Sequence, residues 1–518
     1  MAASQKPTAA TQLSHDGRWL IDPAGRVLFL HGINAVWKRA PYVAPATAAG
    51  FTARDADFLA ANGINAVRLG VLFAGVMPTK GVVDQAYLTK TDRLVQLLAA
   101  RHIWVLLDFH QDAYNEKFNG EGFPAWAVHD DGVPFVDAGS FFANYQTPAV
   151  QRTFDNFWNN VDNLWGYYTQ AWTAVANKWA HQPYLMGYDL FNEPSAGTQT
   201  PTCANPAGCP VFDAKLQEFY DHVRTSIRTV DPHNMVWYEQ QFFSNAVSAG
   251  SFTHVDDPEV GLSWHDYACT PAFVAGGVIP GNPDCSINEP RVMDNAQTQA
   301  ATMGAGSLLS EYGAEDDLED LSRMTGYADQ HLVGWMYWAY KLWDDPTGSS
   351  HEGLYGDDSQ PATLKTAKTD VLVHPYPQAV AGIPTASSWD ATTKVMNLTY
   401  TPRRATGLTD VFVPARTYAK GYTTVVTGGQ VRSAAQARHV LIDADPGVLS
   451  VHVVVKPGGT ATSPGSTASA TPTATQDRTT GRGLASTGLS TALPATGVVL
   501  LTAFGLLTLR RRARRGTR

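Results

Sequence analysis

Cysteine is scarce in this chain and never closely spaced. Four residues, Cys203, Cys209, Cys269 and Cys285, serve 518 positions. No two stand at the short spacing of a zinc knuckle, which argues against a structural metal site; neither a metal nor a cofactor is expected. Of the three possible connectivities, pairing 203 with 209 and 269 with 285 closes the shortest loops and suits an oxidising exterior. Four free thiols are the alternative. Positive charge is also short. Six of the 38 Lys and Arg crowd into the last nine positions, so the rest of the chain sets 32 bases against 47 acids. That balance excludes nucleic acid and other polyanions as the expected partner. The start, Met1-Ala2-Ala3-Ser4-Gln5-Lys6-Pro7, lacks the apolar core of a secretion signal. The apolar run 498–509 is short of the ~20 residues that an unassisted helix needs to cross a bilayer. What is plentiful is core-forming material: 44% hydrophobic and 11% aromatic residues describe a globular chain, long enough for more than one domain.

Apolar, β-rich runs at 27–33, 64–69, 103–109, 185–191, 235–238, 260–264, 308–310 and 333–338 alternate with amphipathic stretches. Two of those stretches are 86–101, with Leu94, Leu97 and Leu98 on one face, and 212–230, with Leu216, Phe219, Val223 and Ile227. Eight strands separated by helices predict an α/β fold, a (β/α)8 barrel over 18–378. Beyond it, short alternating segments at 395–400, 411–413, 423–426, 440–442 and 449–455, punctuated by Pro402, Gly428, Gly429 and Pro446, predict a small antiparallel β-sandwich over 379–457. Residues 1–17 are expected to be disordered. Residues 458–492 are rich in Gly, Ser, Thr and Pro and read as an extended linker.

Polar residues recur at the carboxyl ends of the barrel runs: Asn34, Arg68, His110, Asn192, Glu193, His265, Glu311 and Trp338. Barrel enzymes build their sites at that end. Asp189-Leu190-Phe191-Asn192-Glu193-Pro194 and Leu308-Leu309-Ser310-Glu311-Tyr312-Gly313 each finish a strand with a glutamate. Breaking an acetal needs one carboxyl group to protonate the leaving oxygen and one to meet the positive charge that develops at the anomeric carbon. Strands four and seven face each other across a barrel mouth, so a separation of roughly 5 Å is expected, the spacing of a retaining double displacement. Glu311 is then the nucleophile and Glu193 the acid and later the base, its pKa raised by the charge on Glu311. Arg68 is expected to hold Glu311 ionised, and Asn192 to bond the sugar 2-hydroxyl. His265 and Tyr267 are placed near the nucleophile, and Trp338 offers an apolar face to the sugar ring.

Arg68, His110, Asn192-Glu193-Pro194, His265-Asp266-Tyr267, Glu311 and Trp338 together resemble the pattern of retaining glycoside hydrolase family 5. Within it, His31-Gly32-Ile33-Asn34-Ala35-Val36-Trp37-Lys38, Asp108-Phe109-His110-Gln111-Asp112 and Tyr337-Trp338-Ala339-Tyr340-Lys341 resemble the endoglycoceramidases, and the likeness runs from about residue 18 to 455. The resemblance implies that Glu193 is the acid/base and Glu311 the nucleophile. It also implies that Lys38, Asp112, Asn192, Trp338 and Trp158 bind the sugar next to ceramide in a glycosphingolipid. An insertion after His110 carries Tyr114, Phe118, Phe123, Trp126, Phe135, Phe141, Phe142 and Tyr145, which either line a groove for acyl chains or pack onto the barrel.

At the carboxyl end, Leu493-Pro494-Ala495-Thr496-Gly497, the apolar run and the terminal arginines (493–518) resemble the sorting signal of Gram-positive surface proteins, in which sortase joins Thr to peptidoglycan. Leu484-Ala485-Ser486-Thr487-Gly488 resembles a variant of it. The resemblance implies a secreted, wall-anchored protein that meets the membrane transiently through 498–509 and whose true signal peptide precedes Met1. A monomer is expected. Three readings follow: an endoglycoceramidase, with an endogalactosylceramidase-type relative sharing nearly all these residues; a wall-anchored glucanase or mannanase with an open polar cleft; and a non-catalytic glycan-binding surface protein.

Overall fold

The computed structural model describes residues 12–458, apart from 247, 271–282, 404 and 406. Eight parallel strands close into a barrel in chain order. They are β1 (His31–Ala35), β2 (Ala66–Val71), β3 (Trp104–Phe109), β4 (Leu185–Asp189), β5 (Val236–Glu239), β6 (Val260–Asp266), β7 (Gly306–Gly313) and β8 (Trp335–Trp338). β8 returns to β1 through the pairs Trp335 with His31 and Tyr337 with Ile33. Every residue of these strands is buried. Helices outside and side chains inside cover both faces of a parallel sheet, so the strands read as continuous apolar runs rather than alternating ones. The exceptions are informative: Arg68, Asp108, Asp189, Glu239 and Glu311 are charged residues in or ending strands, all buried.

The outer helices follow their apolar stripes. The helix Gln85–Ala99 starts at Asp84, whose carboxylate accepts from Ala86 N and Tyr87 N, and buries Leu88, Leu94, Val95 and Leu98. The helix Pro210–Arg228 opens on a proline, where a missing N–H costs nothing, and buries Leu216, Phe219, Val223 and Ile227.

The second region contains β9 (Tyr376–Val380), β10 (Gly382–Asp390), β11 (Val395–Pro402), β12 (Thr409–Phe412), β13 (Tyr422–Thr427), β14 (Gly429–Val431), β15 (His439–Ala444) and β16 (Val451–Pro457). One antiparallel sheet runs β10-β11-β16-β13. The other runs β9-β12-β15-β14 and is extended past β9 by three strands from the amino end, Val27–Leu28, Trp19–Ile21 and Ser14–Asp16. Leu398, Val453 and Val455 meet Val411, Val440 and Ile442 in the core between them.

That extension corrects three expectations. Residues 14–16 form a hairpin strand against 19–21, because Leu13 and Leu20 have a core to enter. The apolar run 27–33 divides: Val27 and Leu28 pair with Val380 and Ala379, and the barrel strand begins only at His31. Tyr376–Val380 belongs to the sandwich sheet, so the boundary falls before it and not after 378. Residues 459–518, with most of the expected linker and both sorting-type pentapeptides, lie outside the described residues.

Candidate active site

Arg68 is the post around which the mouth of the barrel is arranged. Fully buried on β2, it donates from Nε to Asp189 Oδ2 at 2.8 Å, and from Nη2 to Asn192 Oδ1 at 3.0 Å and Glu239 Oε2 at 3.1 Å. Nη2 also lies 3.0 Å from Asp108 Oδ1, and Nη1 pairs with Glu311 Oε1. One guanidinium therefore serves four buried carboxyl groups. A single positive charge cannot keep four of them ionised away from water. Burial pushes Asp189 up to about 6 and Glu239 well above the usual carboxylate range, with Arg68 opposing it in both.

Glu193 and Glu311 meet beside this post. Their nearest carboxylate oxygens, together with a nitrogen of His265, lie within 4.8 Å of one another. Glu311 is oriented by Arg68 on Oε1 and by the Tyr267 hydroxyl, which donates to Oε2 at 2.9 Å. Glu193 accepts from Asn245 Nδ2 at 2.7 Å, and its Oε1 lies 2.9 Å from His265 Nδ1. The Glu193 backbone sits at φ 44, in the left-handed region, and its N–H donates to Glu239 Oε1 at 2.7 Å. Such a conformation in a non-glycine residue costs of order 1–3 kcal/mol and persists only where the surroundings enforce it. Here Glu239 holds the N–H, and Gln111 Nε2 donates to the Glu193 carbonyl at 3.2 Å.

The two carboxyls differ electrostatically. Burial is the main force raising the Glu193 pKa well above the normal range, and the charges of Glu311 and Asp112 add to it. This corrects the expectation that Glu311 alone supplies the shift. Glu311 is also raised, to about 7, as the balance between burial, which lifts it, and the touching guanidinium, which lowers it. With Arg68 against one member only, the pair carries its proton on Glu193 and its charge on Glu311. Burial, followed by the nearby Arg68 charge, depresses the His265 pKa and keeps the imidazole neutral.

Next to the pair lies a cluster built on Lys38. Its Nζ pairs with Asp112 and with Asp345 at 2.9 Å, donates to Thr347 Oγ1 at 2.7 Å, and lies 3.6 Å from Glu121 Oε1. Burial alone would lower the Lys38 pKa; the surrounding carboxylates override it and hold it well above the usual lysine value. Trp338 lies under this ammonium, 4.5 Å from Nζ to ring centroid, and stacks on His110 at 5.0 Å. His110, Asp112 and Glu121 bring ligand-type atoms within 4.8 Å of one another, as do Glu193, His265 and Glu311. In the first set a fixed ammonium already sits among the carboxylates; in the second Arg68 does.

Lys38, Asp112, Asn192, Glu193, Glu311 and Trp338 line one cavity, joined by His110 and Tyr267. Arg68 and His265 touch residues of this lining but are themselves fully buried and not part of it. The Asn192 carbonyl is taken by Arg68, and Nδ2 donates to Gln111 O at 3.0 Å, which leaves one amide hydrogen for a sugar hydroxyl. Trp158 is a correction: it does not line the cavity. Its Nε1 donates to Ser195 O at 2.7 Å, and its ring packs on Phe191, Phe212 and Phe219, so it braces the Asn-Glu-Pro loop from behind. Most of the aromatic insertion packs onto the barrel. Tyr114, Phe118, Phe123 and Tyr145 are core, while Phe141 and Phe142 reach the cavity wall. Both disulfides have the neighbouring connectivity, Cys203–Cys209 and Cys269–Cys285.

Sequence reasoning missed Glu239, Asn245, Asp345 and Thr347. Glu239 ends β5, one residue past the predicted strand, and the strand-end rule that found the others would have found it. Asn245 arrives on the short 3-10 helix Phe242–Asn245, and Asp345 and Thr347 on a loop.

A model of cellulase, glycosyl hydrolase family 5, matches residues 30–342, and one of the glycoside hydrolase family 5 C-terminal domain matches residues 374–455. Endoglycoceramidase I of Rhodococcus hoagii is 33% identical over 450 residues, covering 85% of this chain and 87% of that one. An endoglycoceramidase of Cyanea nozakii is 28% identical over 426 residues, with 74% and 79% covered. Among solved structures, endo-glycoceramidase II from Rhodococcus sp. superposes with a TM-score of 0.71 at 29% identity, over 85% of this chain and 100% of that one; it has been captured as a lactosyl-enzyme intermediate. A complex of the same enzyme with ganglioside GM3 is also similar, at 27% identity and the same TM-score, over 86% of this chain and 100% of that one. The barrel and its C-terminal β-domain agree with these matches: the chain belongs to glycosyl hydrolase family 5 and is a glycoside hydrolase.

Proposed function

We propose that the chain is an endo-acting glycosidase that cuts the β-linkage between the glycan and ceramide of glycosphingolipids, with retention, by double displacement. The observation that carries this reading is the approach of the Glu193 and Glu311 oxygens within 4.8 Å. Carboxyl groups about 5 Å apart suit direct attack, whereas a water interposed between them needs ~6.5–9.5 Å. Glu311 attacks the anomeric carbon while Glu193 protonates the departing ceramide oxygen. Formation of the glycosyl ester removes the Glu311 charge, which lowers the Glu193 pKa and readies it to take a proton from the incoming water.

The substrate class is supported by the endoglycoceramidase relatives and by the mixed lining of the cavity. Lys38, Asp112, Asp345 and Trp338 form a polar sugar seat; Phe141 and Phe142 give the wall apolar surface suited to a lipid leaving group. A glucanase would be served by an open polar cleft instead. The deciding assay sets gangliosides, galactosylceramide and glucan polymers side by side and detects released ceramide directly. Ceramide from gangliosides is expected; reducing ends from glucan without ceramide would overturn the reading. Galactosylceramide as the preferred substrate would mark the endogalactosylceramidase-type relative.

Attachment of the enzyme to the cell wall through Thr496 is proposed on the carboxyl-terminal sequence alone. Mass spectrometry of wall-released protein should end the chain at Thr496, or at Thr487 if the second pentapeptide is the one used. An intact terminal arginine tail would refute it.

A further inference from the structure

Away from the mouth, a cavity of about 570 Å³ opens where the helix Leu318–His331 and the helix Thr366–Leu372 meet the β10–β11 turn of the sandwich. We propose that it is a second carbohydrate-binding site, one that takes a neutral pyranose against Trp389. Its volume falls in the range of small-molecule sites.

Three features on its wall are otherwise unaccounted for. Asp329 is 8% exposed and lines the cavity, yet its carboxylate has no hydrogen bond or ion pair among the described residues. It stands in the last turn of its helix, where the macrodipole disfavours negative charge. A buried carboxyl without a partner is costly, so its retention there asks for a ligand that donates to it. Gly326 sits one turn earlier, inside the helix, where glycine is less favourable than alanine. No neighbour demands it, because a Cβ there would meet nothing within 4 Å; it leaves the cavity floor open. Trp389 is half-buried. It stacks on His374 at 5.7 Å with ring planes 7° apart, which fixes the indole, and it also lines the cavity.

The chemistry selects the ligand. Lys394 and Arg416 share the wall with Asp329, Asp370 and Asp390, and Arg416 Nε is already paired with Asp370 Oδ1 at 2.8 Å. Both signs of charge are present, so neither a strong anion nor a cation is favoured. Donors and acceptors ringed around an aromatic platform match a molecule with hydroxyls at its edge and C–H groups on its face.

The test uses the full chain made inactive by Glu311→Ala, with lactose as the probe and calorimetric titration as the readout. Binding to the groove should appear as a site additional to the active site. That site should be weakened at least tenfold by Trp389→Ala and by Gly326→Leu, which fills open space and removes no contact. In chains with Glu311 intact, the same two changes should leave kcat/KM on an aryl glycoside within twofold. An isotherm unchanged by Gly326→Leu in a folded protein overturns the proposal. So does binding of inorganic phosphate in place of lactose.

Discussion

Glu193 and Glu311 divide one proton and one charge between them, and each substitution should expose its half. Glu193→Ala is expected to slow glycolipid hydrolysis by about 10²–10⁴, the usual scale of a lost general acid, yet to spare much of the rate on aryl glycosides with good leaving groups. Equal losses on both substrates would remove Glu193 from the acid role. Glu311→Ala should abolish turnover of either. The pH profile follows from the same shifts. Activity needs Glu311 ionised, so it falls as pH drops and Glu311 takes up a proton. It also needs Glu193 protonated, so it falls as pH rises through the elevated Glu193 pKa. In Glu193→Ala, assayed on an activated glycoside, the alkaline limb should vanish and the acid limb remain; persistence of the alkaline limb would assign it elsewhere. Arg68, Asn192, Glu193 and Glu311 were legible in the sequence because each ends an apolar run and a barrel gathers strand ends in one place. Asn245, Asp345 and Thr347 were not, since residues on short connecting segments reach the mouth only by the three-dimensional path of the chain. Trp158 was misplaced because the likeness to a family names a residue without saying which way its ring faces.

The helix Leu318–His331 carries a titration that should be visible in stability. Burial raises Asp329 to about 7, against ~3.9 for an exposed aspartate. Between those two values the unfolded chain has released this proton while the folded chain still holds it. Fewer protons bound by the unfolded state mean that stability falls as pH rises through this window. Asp329→Asn cannot ionise, so its melting temperature should exceed the parent's at pH 8, and the difference should close towards pH 4. A constant difference across that range would refute the assignment. The disulfide Cys269–Cys285 spans 16 positions. Removing both cysteines should cost about 3 kcal/mol by loop-closure entropy, read from denaturant unfolding without reductant. Element boundaries were the least legible feature at this scale. In 27–33, Phe29 and Leu30 are as apolar as the residues on either side, so nothing in the pattern marks where the chain leaves one sheet for another. The strands Tyr376–Val380 and Gly382–Asp390 carry Pro377 and Pro384, which break the alternation by which their neighbours were read.

At the scale of the whole molecule, the barrel and the sandwich are expected to unfold together, because the sandwich is wired into the barrel floor from both ends of the chain. The amino-terminal strands join its sheet before the chain enters β1. Tyr376 stacks on His31 of β1 at 3.6 Å and donates its hydroxyl to Gly63 O at 2.7 Å. Gly63 is a close point of this seam. It turns the chain into β2 with φ +74, and a Cβ there would lie 2.3 Å from Cε1 of Phe412, a core residue of the sandwich. Gly63→Ala should therefore cost two separable amounts: about 1–2 kcal/mol for the left-handed backbone, whatever surrounds it, and a further amount for displacing Phe412. A double-mutant cycle separates them. In a Phe412→Ala background the second amount disappears, so Gly63→Ala should cost less there than in the parent chain. Calorimetry should show one cooperative transition in every variant, shifted and not split, since residues of both regions share the seam. Two resolved transitions, or a Gly63→Ala cost that is the same in both backgrounds, would mean that the two regions touch without depending on each other.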